Sequence, residues 1–170
     1  PDQAQATEEW ECDDGQDWHP APKIRARVCG PVEKEKYEQR MEQQDQQAMA
    51  EAQQKRRLVV EGLEEDPDEL MGEYELMEGK VVMGRAVWQK QGGDDEAHRF
   101  LFYPSAGQWY ISVREDMETG KPMGWASVES TALTPDQAPA GKWGLFIGEQ
   151  GDGFQIHESR LCVRLGQQAA

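Results

Sequence analysis

The chain has 170 residues, 37% hydrophobic and 30% charged, and its 18 basic against 33 acidic side chains give a net charge of −15. That length suits about one ordinary domain, and a mean hydropathy of −0.87 leaves it a small core. The acidic excess excludes nucleic-acid phosphates and anionic lipid surfaces as natural direct partners, and no apolar run approaches the roughly 20 residues of a membrane-spanning helix.

In chain order, residues 1–31 read as an extended, irregular arm. The stretch CDDGQDWHPAPK holds the Pro, Gly and Asp of turns and shows no periodicity. The opening PDQAQATEEW reads as a processed mature end or a fragment, with any targeting peptide gone. Cys12 and Cys29 bracket the Pro-rich loop. They are either two free thiols or a disulfide, which would contribute about 3 kcal/mol. A metal site from Cys12, His19 and Cys29 lacks a fourth ligand at a zinc-like spacing.

A long helix is predicted over 32–62. Gly30-Pro31 opens it, and no further Pro or Gly follows until Gly62. Its apolar stripe is thin: Tyr37, Met41, Ala48 and Ala52 share one face, and Leu58, Val59 and Val60 gather at the end. Such a stripe is too narrow to anchor the helix to a core, and it does not fill coiled-coil positions. These seven residues are therefore the expected contacts for a partner protein.

Pro67 stops the helix in a linker, residues 63–71. From 72 to 166 the texture changes, and a tail follows at 167–170. Residues 1–71 hold three of the fourteen aromatics, and the rest lie beyond. Strands are predicted near 73–77, 85–90, 98–103, 109–113, 125–129, 143–147, 154–158 and 160–164, separated by Gly- or Pro-containing turns. Cys162, between Leu161 and Val163, reads as a small buried strand residue. The expected fold is mainly β with an N-terminal helix: a compact antiparallel β-sandwich or small barrel, preceded by the arm and the polar helix. Within RFLFYPSAGQWYIS the residues Phe100 to Tyr103 and Trp109 to Ile111 are apolar on both strand faces, which suits a core that touches a second layer.

Several elements of this region form a pattern: Gly72 with Tyr74, Gly84-Arg85 with Trp88, and Leu101 to Tyr103. Gly107 with Trp109 and Ile111, Gly124-Trp125, and Pro135 to Trp143 continue it. The pattern resembles a poorly characterised aromatic-rich β-module that recurs in proteins of dinoflagellates and related algae, and it covers about residues 72–145. Met83 departs from it, since the module carries Asn before the glycine. The resemblance implies a fold more than an activity, and it implies an algal, plastid setting.

No catalytic pattern emerges. His19, His98 and His157 are isolated, and Ser112, Ser127 and Ser130 lack a nucleophile elbow. The chain is expected to be no enzyme and to need no cofactor or metal. The favoured reading is a non-catalytic accessory or scaffold subunit docking on other protein subunits of a larger assembly, peripheral to a membrane complex and plausible for plastid photosynthesis. The alternative is a carbohydrate- or peptide-binding β-module.

Overall fold

In the computed structural model the described residues are 11–13, 18–20, 30–66, 69–92, 98–105, 107–146, 157–158 and 160–167. The chain divides into two compact units, Pro1–Glu38 and Gln39–Ala170.

The first unit contains a small antiparallel pair, β1 (Glu11–Asp13) and β2 (Trp18–Pro20), with Cys12 opposite His19. It also holds the opening turns of α1 (Pro31–Gln54). The Gly30 N–H donates to Glu33 Oε2 at 3.1 Å, so the third helical residue reaches back to cap the helix start. Pro31 occupies the first helical position, where its missing N–H costs nothing.

The second unit is mainly antiparallel β. Among the described residues its strands are β3 (Arg57–Glu61), β4 (Gly72–Val82), β5 (Arg85–Lys90), β6 (Phe100–Ser105), β7 (Gln108–Ser112), β8 (Ala126–Glu129), β9 (Gly144–Leu145), β10 (His157–Glu158) and β11 (Cys162–Leu165). They form one sheet in the order β10-β9-β8-β7-β6-β5-β4-β3-β11, curled into a half-barrel. Every strand predicted beyond residue 72 is present, although residues 154–156 of the predicted 154–158 lie outside the described residues. The region is thus a consecutive meander, except that β11 returns to pair with β3.

The stretch predicted as the end of the helix differs. The α-helix stops at Gln54, and Arg57–Glu61 is a strand between β4 and β11. Val59 and Val60 are β-branched and favour a strand, and Leu58 and Val60 fall alternately into the core. Gly62 ends β3 with φ of 105°, and a Cβ there would collide with the Arg160 carbonyl. The compact unit therefore begins inside α1, at Gln39, and not at Gly72.

Both sheet faces are apolar around β6, as the sequence implies. Leu101 and Tyr103 face the main core with Trp88, Trp109, Ile111 and Trp143. Phe100 and Phe102 face the other side with Val87, Tyr110 and Met117. Met117 comes from α2 (Arg114–Thr119), a short helix in a stretch predicted as a turn. Gly120 ends it in the left-handed conformation, its N–H reaching the Met117 carbonyl.

Val82 pairs with Arg85 across a two-residue turn in which Met83 (φ 47°) and Gly84 (φ 74°) are both left-handed. Gly and Asn take that conformation at little cost, whereas Met takes it at a cost. Met83 is exposed, so no packing is lost on replacing it. Met83→Asn is expected to stabilise the fold by about 1 kcal/mol, read as a higher urea midpoint with an unchanged slope.

Candidate functional site

The clustered aromatics are core, and their polar atoms tie loops to the sheet. Trp88 Nε1–H donates to the Lys55 carbonyl at 2.9 Å, satisfying a carbonyl left over at the end of α1. Trp109 Nε1–H donates to the Ala132 carbonyl at 3.2 Å, and the Tyr74 hydroxyl to the Leu70 carbonyl at 2.8 Å. The Tyr103 hydroxyl accepts the Gly107 N–H at 2.6 Å in the β6–β7 turn. Burial pushes the Tyr74 phenol far above its ordinary range, so it remains a donor at physiological pH. Trp88 and Trp109 are fully buried and Trp125 half-buried, with the Arg99 guanidinium 4.1 Å from its ring centre.

The segment 130–143, with a 3-10 turn at Pro135–Gln137, packs on the main core through Ala138 and contributes Trp143 to it. It is pinned to α1. Lys55 Nζ donates to Thr134 Oγ1 at 2.8 Å and lies 3.0 Å from Asp136 Oδ2, while Gln137 Nε2 donates to Glu51 Oε2 at 3.1 Å. The Lys55 part of this network is partly buried and the Gln137–Glu51 bond is exposed.

At the two ends of that segment lies a groove of about 500 Å³ lined by Gly107, Gln108, Ser127, Glu129, Ser130, Thr131, Lys142 and Gly144. Strands β7 and β8 supply Gln108, Ser127 and Glu129, whose side chains point away from the main core because their neighbours Trp109, Ala126 and Val128 point into it. The lining offers hydroxyls, an amide, one carboxylate and one ammonium. Glu129 and Lys142 form no salt bridge with any described residue. Such a groove can hold a polar ligand by hydrogen bonds and charge.

The sequence-predicted partner residues do not form one surface. Tyr37 and Met41 are exposed, at 58% and 39%. Ala48 and Ala52 are fully buried, Leu58 and Val60 lie in the core, and Val59 is half-buried in β3. This corrects the expectation that the thin stripe cannot dock: small Ala side chains let the last turns of α1 lie close to the sheet, with Met49 packed beside Ala52. Leu58, Val60, Ala48 and Ala52 are therefore taken up by the chain's own fold.

The Cys12 side chain and Cys29 fall outside the described residues, and so does the question of their bridge. Cys162 is a half-buried free thiol. Among the described residues no three His, Cys, Asp or Glu side chains come together to hold a metal ion. The Ser112 hydroxyl donates to Asp116 Oδ2 at 2.5 Å at the start of α2, and Ser130 Oγ accepts the Ala132 N–H at 3.2 Å. Both serve local structure.

Glu129, Lys142 and Gln108 carried no signal in the sequence, because the groove depends on how β8 and β9 are registered. Comparison of the chain with protein-family models, curated proteins and solved structures gives no match in any of the three.

Proposed function

We propose that the chain is a non-catalytic accessory or scaffold subunit that docks on a larger protein assembly. An algal plastid complex is the setting implied by the resemblance of residues 72–145. The observation that carries this reading is the apolar stripe of α1. Its later members, Ala48 and Ala52, are buried in the chain's own fold, while Tyr37 and Met41 on the same helix are exposed. Large exposed apolar side chains in register with a packed stripe suit a helix that gains a further contact from a partner. A net charge of −15 favours a basic partner surface, so added salt weakens the attachment. The absence of an apolar helix long enough to cross a membrane among the described residues fits a peripheral position in such an assembly.

The double change Tyr37→Glu with Met41→Glu tests this. In gentle native extracts it is expected to move at least nine-tenths of the protein from high-mass fractions to the monomer position, with an unchanged circular dichroism spectrum. Wild-type protein that already elutes as a free monomer would overturn the subunit reading. The alternative of a ligand-binding module finds support in the groove beside β8, whose chemistry favours peptide over carbohydrate.

A further inference from the structure

We propose that the groove beside β8 binds an extended peptide segment of a partner protein by strand addition at Glu129. This deepens the subunit reading and rests on it only in taking the segment to belong to a partner.

The geometry begins with the alternation of backbone bonds. The Ser130 N–H donates to the Gly107 carbonyl at 2.7 Å, so Ser130, and two residues earlier Val128, direct their backbone groups at β7. On the other side the Phe146 N–H donates to the Trp125 carbonyl at 2.7 Å, while the Trp125 N–H turns back to the Ile111 carbonyl of β7 at 3.0 Å; after this irregular start Ser127, opposite Gly144, faces β9. Glu129 continues this second set. Its N–H and C=O point away from β7, on the side where β9 has ended at Gly144. Among the described residues they have no backbone partner.

A strand residue with an open N–H and C=O is a template for another backbone, and the groove gives such a backbone room. Its volume of about 500 Å³ lies within the ordinary range for ligand sites. Gly107 and Gly144 in the lining carry no side chain to keep an incoming strand away. The side chains add a charge pattern. Glu129 favours a basic side chain and Lys142 an acidic one. Both charges line a single groove, and residues two apart on an extended peptide share one face. A sugar would want an aromatic surface to stack on, and no aromatic residue is among those lining the groove.

The test uses the full chain and fluorescein-labelled hexapeptides with lysine and glutamate two residues apart, followed by fluorescence polarisation. Saturable binding is expected. Methylating the peptide's backbone amides should weaken it at least tenfold, because strand addition uses those N–H groups. Glu129→Pro should weaken it at least tenfold as well. That change removes both the N–H outside the β7–β8 bonds and the carboxylate that favours the basic residue, and it sits at an open edge, where proline is tolerated; the methylated peptides isolate the backbone part. Lys142→Glu should shift preference away from the acidic residue by at least threefold. If Glu129→Pro does not fold, the methylated peptides decide with the wild-type chain. No binding of any hexapeptide overturns the proposal, and so does equal binding of methylated and unmethylated peptides. Binding of an oligosaccharide panel in place of the peptides overturns it in favour of a sugar site. None of these failures touches the α1 contact, which the Tyr37 and Met41 changes test separately.

Discussion

Trp109→Ala is expected to destabilise the protein by about 4 to 5 kcal/mol. The ring is fully buried in the main core, with ring centres 6.1 Å from Trp88 and 5.3 Å from Tyr103, both edge-on. Removing it opens a cavity at the meeting point of three aromatics and forfeits both edge contacts, each worth about 0.5–1.5 kcal/mol. It also leaves the Ala132 carbonyl without its indole donor, loosening the segment 130–143 that packs on the core. Against a typical stability of about 5–15 kcal/mol, that loss leaves a protein close to unfolding. Urea denaturation gives the number. Trp109→Phe serves as the control, because it keeps most of the packing and loses the hydrogen bond, and it should cost about 1–2 kcal/mol. A loss under about 2 kcal/mol for the Ala change would show that this position does not hold the core together.

A fragment starting at Gly72 is expected not to fold, whereas one starting at Gln39 is expected to unfold cooperatively. The aromatic partition along the sequence suggests the opposite for the shorter fragment, since its aromatics are all retained. The missing part is β3. Leu58 to Val60 pair with β4 on one side and with β11 on the other, so without them β11 has no neighbour in the sheet. Leu58 and Val60 are buried side chains worth roughly 1.5–3 kcal/mol each. The shorter fragment also loses Ala52 from the core and Lys55 from Thr134 and Asp136. Circular dichroism and urea titration of both fragments provide the comparison. A single sharp transition from residues 72–170 would refute the assignment of β3 as an essential strand.

Much of the sheet is legible in the sequence because its signals are local. Short apolar runs in RAVWQK and QWYIS, bounded by turn glycines such as Gly84 and Gly107, fix β5, β7 and the hairpins without reference to distant residues. The two-sided apolar character of β6 also announces that both faces are covered. β3 is hidden because three apolar residues after a helix-forming run look like its last turn, and one of its partners lies about a hundred residues away. α2 is too short for a helical period, so its Met117 gives no warning that it covers Phe100 and Phe102. Of the candidate sites, the exposure of Tyr37 and Met41 follows from a sparse polar helix. The burial of Ala48 and Ala52 does not, because alanine fits a solvated face and a close-packed one equally well. The groove has no sequence signature, being made by the point at which β9 stops.

The pairing of Cys162 with Glu61 sets a condition on birth at the ribosome. When β3 and β4 have emerged, the far side of β3 presents the apolar run Leu58-Val59-Val60 with its backbone groups unclaimed. Counted from the last residue of β4, the residues that claim them are still about eighty codons from being read, on the order of 4 to 16 seconds of synthesis. During that interval the nascent chain offers a sticky ribbon edge to neighbouring nascent chains and to chaperones alike. The arrival of β11 ends that exposure, so a ribosome stalled before it would release a product prone to aggregate.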